Sequence, residues 1–137
     1  MEITKSYLTD LVYKVNGAAI EVHKALGPGL LESVYHKCLA HEMKLRRIKF
    51  ISEISVPVNY KGLEIDADLR CDFLVEDILP VEIKSTNGID PVHEAQLLTY
   101  MRLLSVPKGL LINFNVTNLY KEGQHTYVNE LYRNLKD

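Results

Sequence analysis

Ile65-Asp66-Ala67-Asp68-Leu69-Arg70-Cys71-Asp72-Phe73-Leu74-Val75, then Ile78-Leu79-Pro80-Val81-Glu82-Ile83-Lys84 after a short turn, is the stretch that decides the fold. Ile65, Ala67, Leu69, Cys71, Phe73 and Val75 alternate with Asp66, Asp68, Arg70 and Asp72, the period of two that marks a half-buried strand. Ile78 to Lys84 predicts the returning strand. A three-residue loop, Glu76 to Ile78, pairs Val75 with Leu79 and sets Asp72 opposite Glu82 on one face. A two-residue loop would separate them. Glu82 and Lys84 share a face because side chains alternate along a strand, while Val81 and Ile83 point into a core. Two carboxylates and an ammonium beside a sheet suit metal-assisted phosphodiester hydrolysis.

Working outward, Asp90-Pro91 predicts a helix start, with Asp90 as N-cap and Pro91 in the first turn. That helix carries Ala95, Leu97, Leu98, Met101 and Leu104 and ends before Pro107. Lys108 to Asn115 predicts a buried strand around Gly109-Leu110-Leu111-Ile112. Strand, helix, strand over 78–115 is a βαβ crossover with parallel strands. Upstream, helical spacing of Leu8, Leu11, Val12, Val15, Ala18, Ala19 and Val22 predicts a helix over 4–25. Leu26-Gly27-Pro28-Gly29 breaks it. A second helix is expected over 30–47, with Leu31, Val34, Tyr35, Cys38 and Leu45 inward. Phe50 to Tyr60 reads as a strand with its turn at Lys61-Gly62. The expected architecture is α/β, with two N-terminal helices and a central mixed sheet, in a single domain over 1–137.

The chain has 137 residues, 47% of them hydrophobic, which suffices for one core. No apolar run approaches a membrane span. Met1 to Asp10 contains Glu2, Lys5 and Asp10 and does not read as a secretory signal, so a cytoplasmic location without membrane attachment is expected. Cys38 and Cys71 are too few for a disulfide framework or an all-cysteine metal cluster, and Cys71 reads as a buried thiol. A net charge of -2 gives no global nucleic-acid signal. Phosphate binding must come from local groups such as Lys44, Arg46, Arg47, Lys49 and Arg70, or from a bound cation.

Each candidate residue also has a structural explanation. Charged strand residues are commonly a solvated face, but Glu82 and Lys84 lie just before a crossover helix, where burying an acid is costly unless it is paired or binds metal. Gln96 and Tyr100, four apart, share a helix face that His93 extends by a turn. The βαβ geometry lays that helix against the strand bearing Lys84. His93 itself reads as a surface residue. Glu32 in a first helical turn complements the helix dipole. Tyr35 reads as packing, and His23 as a C-terminal cation.

With these residues in place, the chain resembles the GxxExxY proteins. Gly29-Leu30-Leu31-Glu32-Ser33-Val34-Tyr35 carries their signature. Leu26-Gly27-Pro28-Gly29, Asp72-Phe73-Leu74-Val75, Val81-Glu82-Ile83-Lys84, Pro91 through Tyr100 and Gly109 through Phe114 follow in the same order. The likeness spans roughly Leu8 to Lys121. That group is assigned to the PD-(D/E)XK nuclease superfamily, which implies a restriction-endonuclease-like fold. Glu82-Ile83-Lys84 matches its E-x-K element, Asp72 the preceding acid and Glu32 the acid of the first core helix. Gln96-Leu97-Leu98-Thr99-Tyr100 resembles the Q-x-x-x-Y element of RecB-like nucleases. Asp72 follows Cys71 rather than proline, a departure the superfamily tolerates. The lack of four cysteines separates the chain from iron–sulfur members.

The resemblance implies a nuclease using Mg²⁺ or Mn²⁺ on nucleic acid, with DNA the expected substrate. Asp72, Glu82 and the Ile83 carbonyl would ligate the metal, with Glu32 contributing through a water. Lys84 would orient the attacking water, and Gln96 and Tyr100 would position substrate. A homodimer is compatible with so small a domain. The alternative is a non-catalytic module of the same fold that binds nucleic acid or protein. A small-molecule or nucleotide-binding domain is a third reading, but no G-x-x-x-x-G-K-[ST] or G-x-G-x-x-G loop supports it.

Overall fold

Thr4 begins the first helix by accepting a hydrogen bond from the Tyr7 amide at 3.0 Å, which satisfies one of the free amides of the first turn. The computed structural model describes residues 2–137. This helix, α1 (Lys5–Leu26), buries Leu8, Leu11, Val12, Val15, Ala18, Ala19 and Val22, the stripe its sequence predicts. It stops where Gly27, at φ 70°, turns its amide back to the His23 carbonyl. The second helix, α2 (Glu32–Leu45), starts two residues later than expected and has no side-chain cap. Tyr35 compensates from within: its hydroxyl donates to the Gly27 carbonyl at 2.6 Å and accepts from the Leu30 amide at 3.1 Å. Its ring stacks on Phe114.

The inward face of α2 differs from the expected one. Tyr35, Leu39 and Met43 are buried, whereas Leu31, Val34 and Leu45 are exposed. Leu31 precedes the helix and Leu45 ends it, so neither is held to the buried stripe.

Five strands follow in a mixed sheet: β1 (Phe50–Ser55), β4 (Arg70–Val75), β5 (Leu79–Lys84), β6 (Lys108–Asn113) and β7 (Gln124–Val128), in the order β1-β4-β5-β6-β7. A separate hairpin of β2 (Val58–Tyr60) and β3 (Leu63–Ile65) projects between β1 and β4. The expected strand from Phe50 to Tyr60 is therefore two strands, divided at Val56-Pro57. The alternating run 65–75 is likewise broken. Asp66 accepts from the Asp68 amide, and Asp68 takes a left-handed φ of 53°, so the chain turns between β3 and β4 despite its regular polarity.

The β4–β5 register is the expected one, with Val75 opposite Leu79 and Phe73 opposite Val81. Helix α3 (Pro91–Leu104) begins with Asp90 capping the Val92 amide. The crossover makes β5 and β6 parallel, with Lys84 beside Asn113. Val81, Ile83, Leu110 and Ile112 face α1 and α2, and Leu111 meets Leu97 and Met101 of α3 on the other side. Tyr100, rather than Leu98, completes the inward face of α3. A π-turn (Leu119–Gly123) precedes β7, and a short α4 (Glu130–Arg133) closes the chain. The arrangement is α/β and restriction-endonuclease-like. No helix among the described residues is long and apolar enough to cross a membrane.

Candidate active site

The sheet forks between β4 and β5. Their ladder extends only from Val75↔Leu79 to Phe73↔Val81. Beyond it, β4 continues beside β1 as far as Arg70, and β5 beside β6 as far as Lys84. Parting strands leave backbone amides without partners, and two carboxylates replace them. Glu82 Oε1 accepts from the Asp72 amide at 2.8 Å, and Asp72 Oδ2 accepts from the Ile83 amide at 2.7 Å. The acids are thus held across the fork by each other's strands.

On β1, the Glu53–Asp72 pairing is missing between Ser52↔Phe73 and Ile54↔Cys71, and Glu53 has a left-handed φ of 51°. Side-chain alternation lapses at the same point. Phe73 joins the cluster under α1 and α2, while Cys71, two residues away, packs with Val56 and Tyr100. Such backbone costs of order 1–3 kcal/mol and concentrates at functional sites.

Electrostatics follow from burial. Glu82 is only 5% exposed. Burial, then the neighbouring Asp72 charge, pushes its carboxyl up to about 7, against the hydrogen bond from the Asp72 amide. Asp72, half-buried, is raised chiefly by burial, and His36 and Lys84 oppose the shift. Glu32 is exposed at the start of α2; it is raised by partial desolvation and drawn down first by Lys84, with His93 and His36 also close enough to act on it. Tyr100 is pushed up to about 12 by burial, then by the Glu82 and Asp72 charges. The Cys71 thiol is raised by burial and Glu82, so it stays protonated.

Asp72, Glu82, Lys84 and Tyr100 thus come together at the fork, and Glu32 reaches it from α2. Gln96 lies on the Tyr100 face of α3 but is exposed. Lys84 forms no ion pair within 4 Å among the described residues, which leaves its ammonium available. Three participants escaped the sequence reading. His36 stacks on Phe73 and sits 3.4 Å from the Asp72 carbonyl; its spacing of four from Glu32 was the available signal. Glu53 gave no signal, because its closeness to Asp72 depends on the β1–β4 register.

Asn113, the third, is 2% exposed. Its Oδ1 accepts from the Thr86 and Asn115 amides and its Nδ2 donates to the Thr86 carbonyl, fastening the segment that follows Lys84.

Among the described residues, no three His, Cys, Asp or Glu side chains form a ready-made metal cage. What the fork offers is two facing carboxylates beside the Ile83 backbone, an all-oxygen donor set. That fits a cation such as Mg²⁺, which takes few protein ligands and keeps its waters. Two buried, mutually repelling acids are also what a divalent charge relieves. A surface cleft of about 600 Å³ lies elsewhere, between α1 and the α2–β1 connection. It contains Tyr7, Lys14, Arg46 and Glu76 but none of the fork residues.

Neither a curated protein nor a solved structure matches the chain significantly. The family model for the PD-(D/E)XK nuclease superfamily matches residues 9–126. That span covers most of the chain and every residue of the fork, and the chain belongs to the PD-(D/E)XK nuclease superfamily.

Proposed function

We propose that this chain is a Mg²⁺- or Mn²⁺-dependent nuclease of the GxxExxY group, hydrolysing phosphodiester bonds in nucleic acid, with DNA as the favoured substrate. The observation that carries this reading is the pair of carboxylates held across the sheet fork beside an ammonium with no ion-pair partner among the described residues. Asp72, Glu82 and the Ile83 carbonyl would hold the cation, with Glu32 contributing through a water. A divalent cation there supplies Lewis-acid polarisation of the phosphate and eases ionisation of water.

The protein's own groups perform the rest. Lys84 orients the attacking water and offsets negative charge growing on the phosphorus oxygens. Tyr100, 3% exposed and packed with Cys71 and Val56, is too buried to reach substrate directly and fixes the floor of the fork. Gln96, exposed on the same helix face, positions the substrate backbone. The Q-x-x-x-Y pattern supports placement in the RecB-like branch, and the Tyr35 bonds give the GxxExxY tyrosine a physical role in shaping the turn before Glu32.

The lack of a three-side-chain metal cage among the described residues favours a second reading, a non-catalytic nucleic-acid-binding module of the same fold. Incubation with labelled single- and double-stranded DNA and with RNA, in Mg²⁺ and Mn²⁺, separates the two. Cleavage that Glu82→Gln abolishes supports the nuclease. Binding without cleavage supports the module.

A further inference from the structure

His93 is the third residue of α3, half-buried on the helix face that carries Gln96 and Tyr100. Its neighbours in that turn have their polar side chains occupied. Asp90 caps the Val92 amide, and Glu94 accepts from the Tyr127 hydroxyl. His93 Nδ1, by contrast, is buried with no hydrogen-bond partner. An unmatched buried polar atom is destabilising, a cost that an aliphatic side chain would avoid. The ring acts on Glu32, which belongs to α2 on the opposite face of the sheet and is itself influenced most by Lys84 among the charged groups. His93, Lys84 and Glu32 therefore converge past the end of β5 from three different elements.

The other histidines near this end of the fold are fixed. His23 Nε2 meets the Val116 carbonyl at 2.8 Å, and His36 is stacked on Phe73. A histidine serving a metal has its second ring nitrogen held by a carbonyl or carboxylate, which sets the tautomer. Nothing among the described residues does this for Nδ1 of His93. With no acceptor at Nδ1, the neutral ring's proton is free to sit on Nε2, where it can be donated to a ligand in the cleft.

We propose that His93 is a substrate-contacting residue, donating a ring N–H hydrogen bond to a phosphate oxygen of the nucleic-acid strand in the fork. The assignment rests on nucleic acid occupying the fork, as in the nuclease reading. It does not require that cleavage occur.

The test uses the full chain, a fluorescent DNA oligonucleotide read by anisotropy with Ca²⁺ replacing Mg²⁺, and calorimetry with Mn²⁺ alone. His93→Leu removes the donor, and His93→Gln keeps an N–H at similar reach. The expected results are an oligonucleotide affinity lower by on the order of tenfold in His93→Leu, the loss of one hydrogen bond to a charged group. Affinity is largely retained in His93→Gln, Mn²⁺ affinity is unchanged in both, and the melting temperature of His93→Leu does not fall. Equal oligonucleotide affinity in His93→Leu and wild type overturns the proposal, as does a parallel loss of Mn²⁺ affinity. If His93→Leu is unstable, His93→Gln decides, and loss of DNA affinity in that folded variant also overturns it. Wild type that binds but does not cut defeats the nuclease reading while the His93 contact stands. Wild type that binds no nucleic acid defeats both.

Discussion

Asp72 and Glu82 brace one another across the fork: the Asp72 amide donates to Glu82 Oε1, and the Asp72 carboxylate accepts from the residue after Glu82. Each acid thereby spends an oxygen on backbone that the ladder no longer serves. The strands are kept apart by the same groups that would carry the chemistry. Burial raises both carboxyls, the Asp72 charge adds to the shift at Glu82, and that cost gives the site its appetite for positive charge.

Metal binding follows first. Calorimetry with Mg²⁺ or Mn²⁺ is expected to show binding that Asp72→Asn and Glu82→Gln each weaken by at least about 10-fold, the loss that even an outer partner of a metal ligand carries. At a hundredfold excess over Kd the cation stabilises the native chain by about 2.7 kcal/mol, visible as a higher Tm. Unchanged binding in both variants would remove the fork as the metal site.

Without a divalent cation, pH acts through Glu82. Its folded carboxyl is raised to about 7, above its unfolded value, so the native state holds the proton more tightly. The associated stability is present in full below the unfolded pKa and declines as pH rises through about 7. Thermal melts in chelator are expected to show Tm falling between mildly acidic and neutral pH. Glu82→Gln should flatten that dependence and raise Tm at neutral pH and above. A wild-type Tm that climbs across this range would contradict the assigned direction.

The sequence revealed the fork's register but not its surroundings. Val75, Leu79 and the three-residue turn between them are local, so the placement of Asp72 opposite Glu82 was readable. Asp90-Pro91 was readable for the same reason, because a cap and its helix adjoin in sequence. Period-two polarity, however, cannot distinguish a strand from a turn whose residues happen to alternate. Ile65 pairs with Val58 and Cys71 with Ile54, in different sheets, and only the left-handed Asp68 between them records the change. Glu53 comes to Asp72 through strand pairing that no spacing announces, and the spacing of His36 from Glu32 hints at the site but not at its contact with Asp72.

Asn113 is expected to matter more than a single polar side chain usually does. Asn113→Leu keeps volume but strips the partner from the Thr86 and Asn115 amides and the shorter of two donors from the Thr86 carbonyl, which keeps Asn115 Nδ2. Leaving such groups unmatched costs on the order of 1–3 kcal/mol each when they stay buried, so urea unfolding should show a loss of about 2–4 kcal/mol once partial hydration is allowed. Because Asn113 stands beside Lys84 in the parallel ladder, the loop after the lysine should also exchange its amide hydrogens faster. A variant as stable as wild type would show that the loop holds itself.

Lys84 separates catalysis from metal binding. Lys84→Met retains most of the stem and removes the ammonium. Its charge now acts on Glu32, Asp72 and Glu82 without forming an ion pair within 4 Å among the described residues, so little native structure depends on it. The rate of DNA cleavage is expected to fall by about 10²-fold or more, as when one donor to a transition state is removed. Oligonucleotide affinity should change little, since one phosphate contact among several is a small part of binding. Mn²⁺ affinity should hold or rise slightly, because a positive charge near the carboxylates has been removed. Cleavage is followed on single- and double-stranded DNA and on RNA, with each metal. If Lys84→Met cuts as fast as wild type, the water is oriented by another group and the role given to this lysine is wrong.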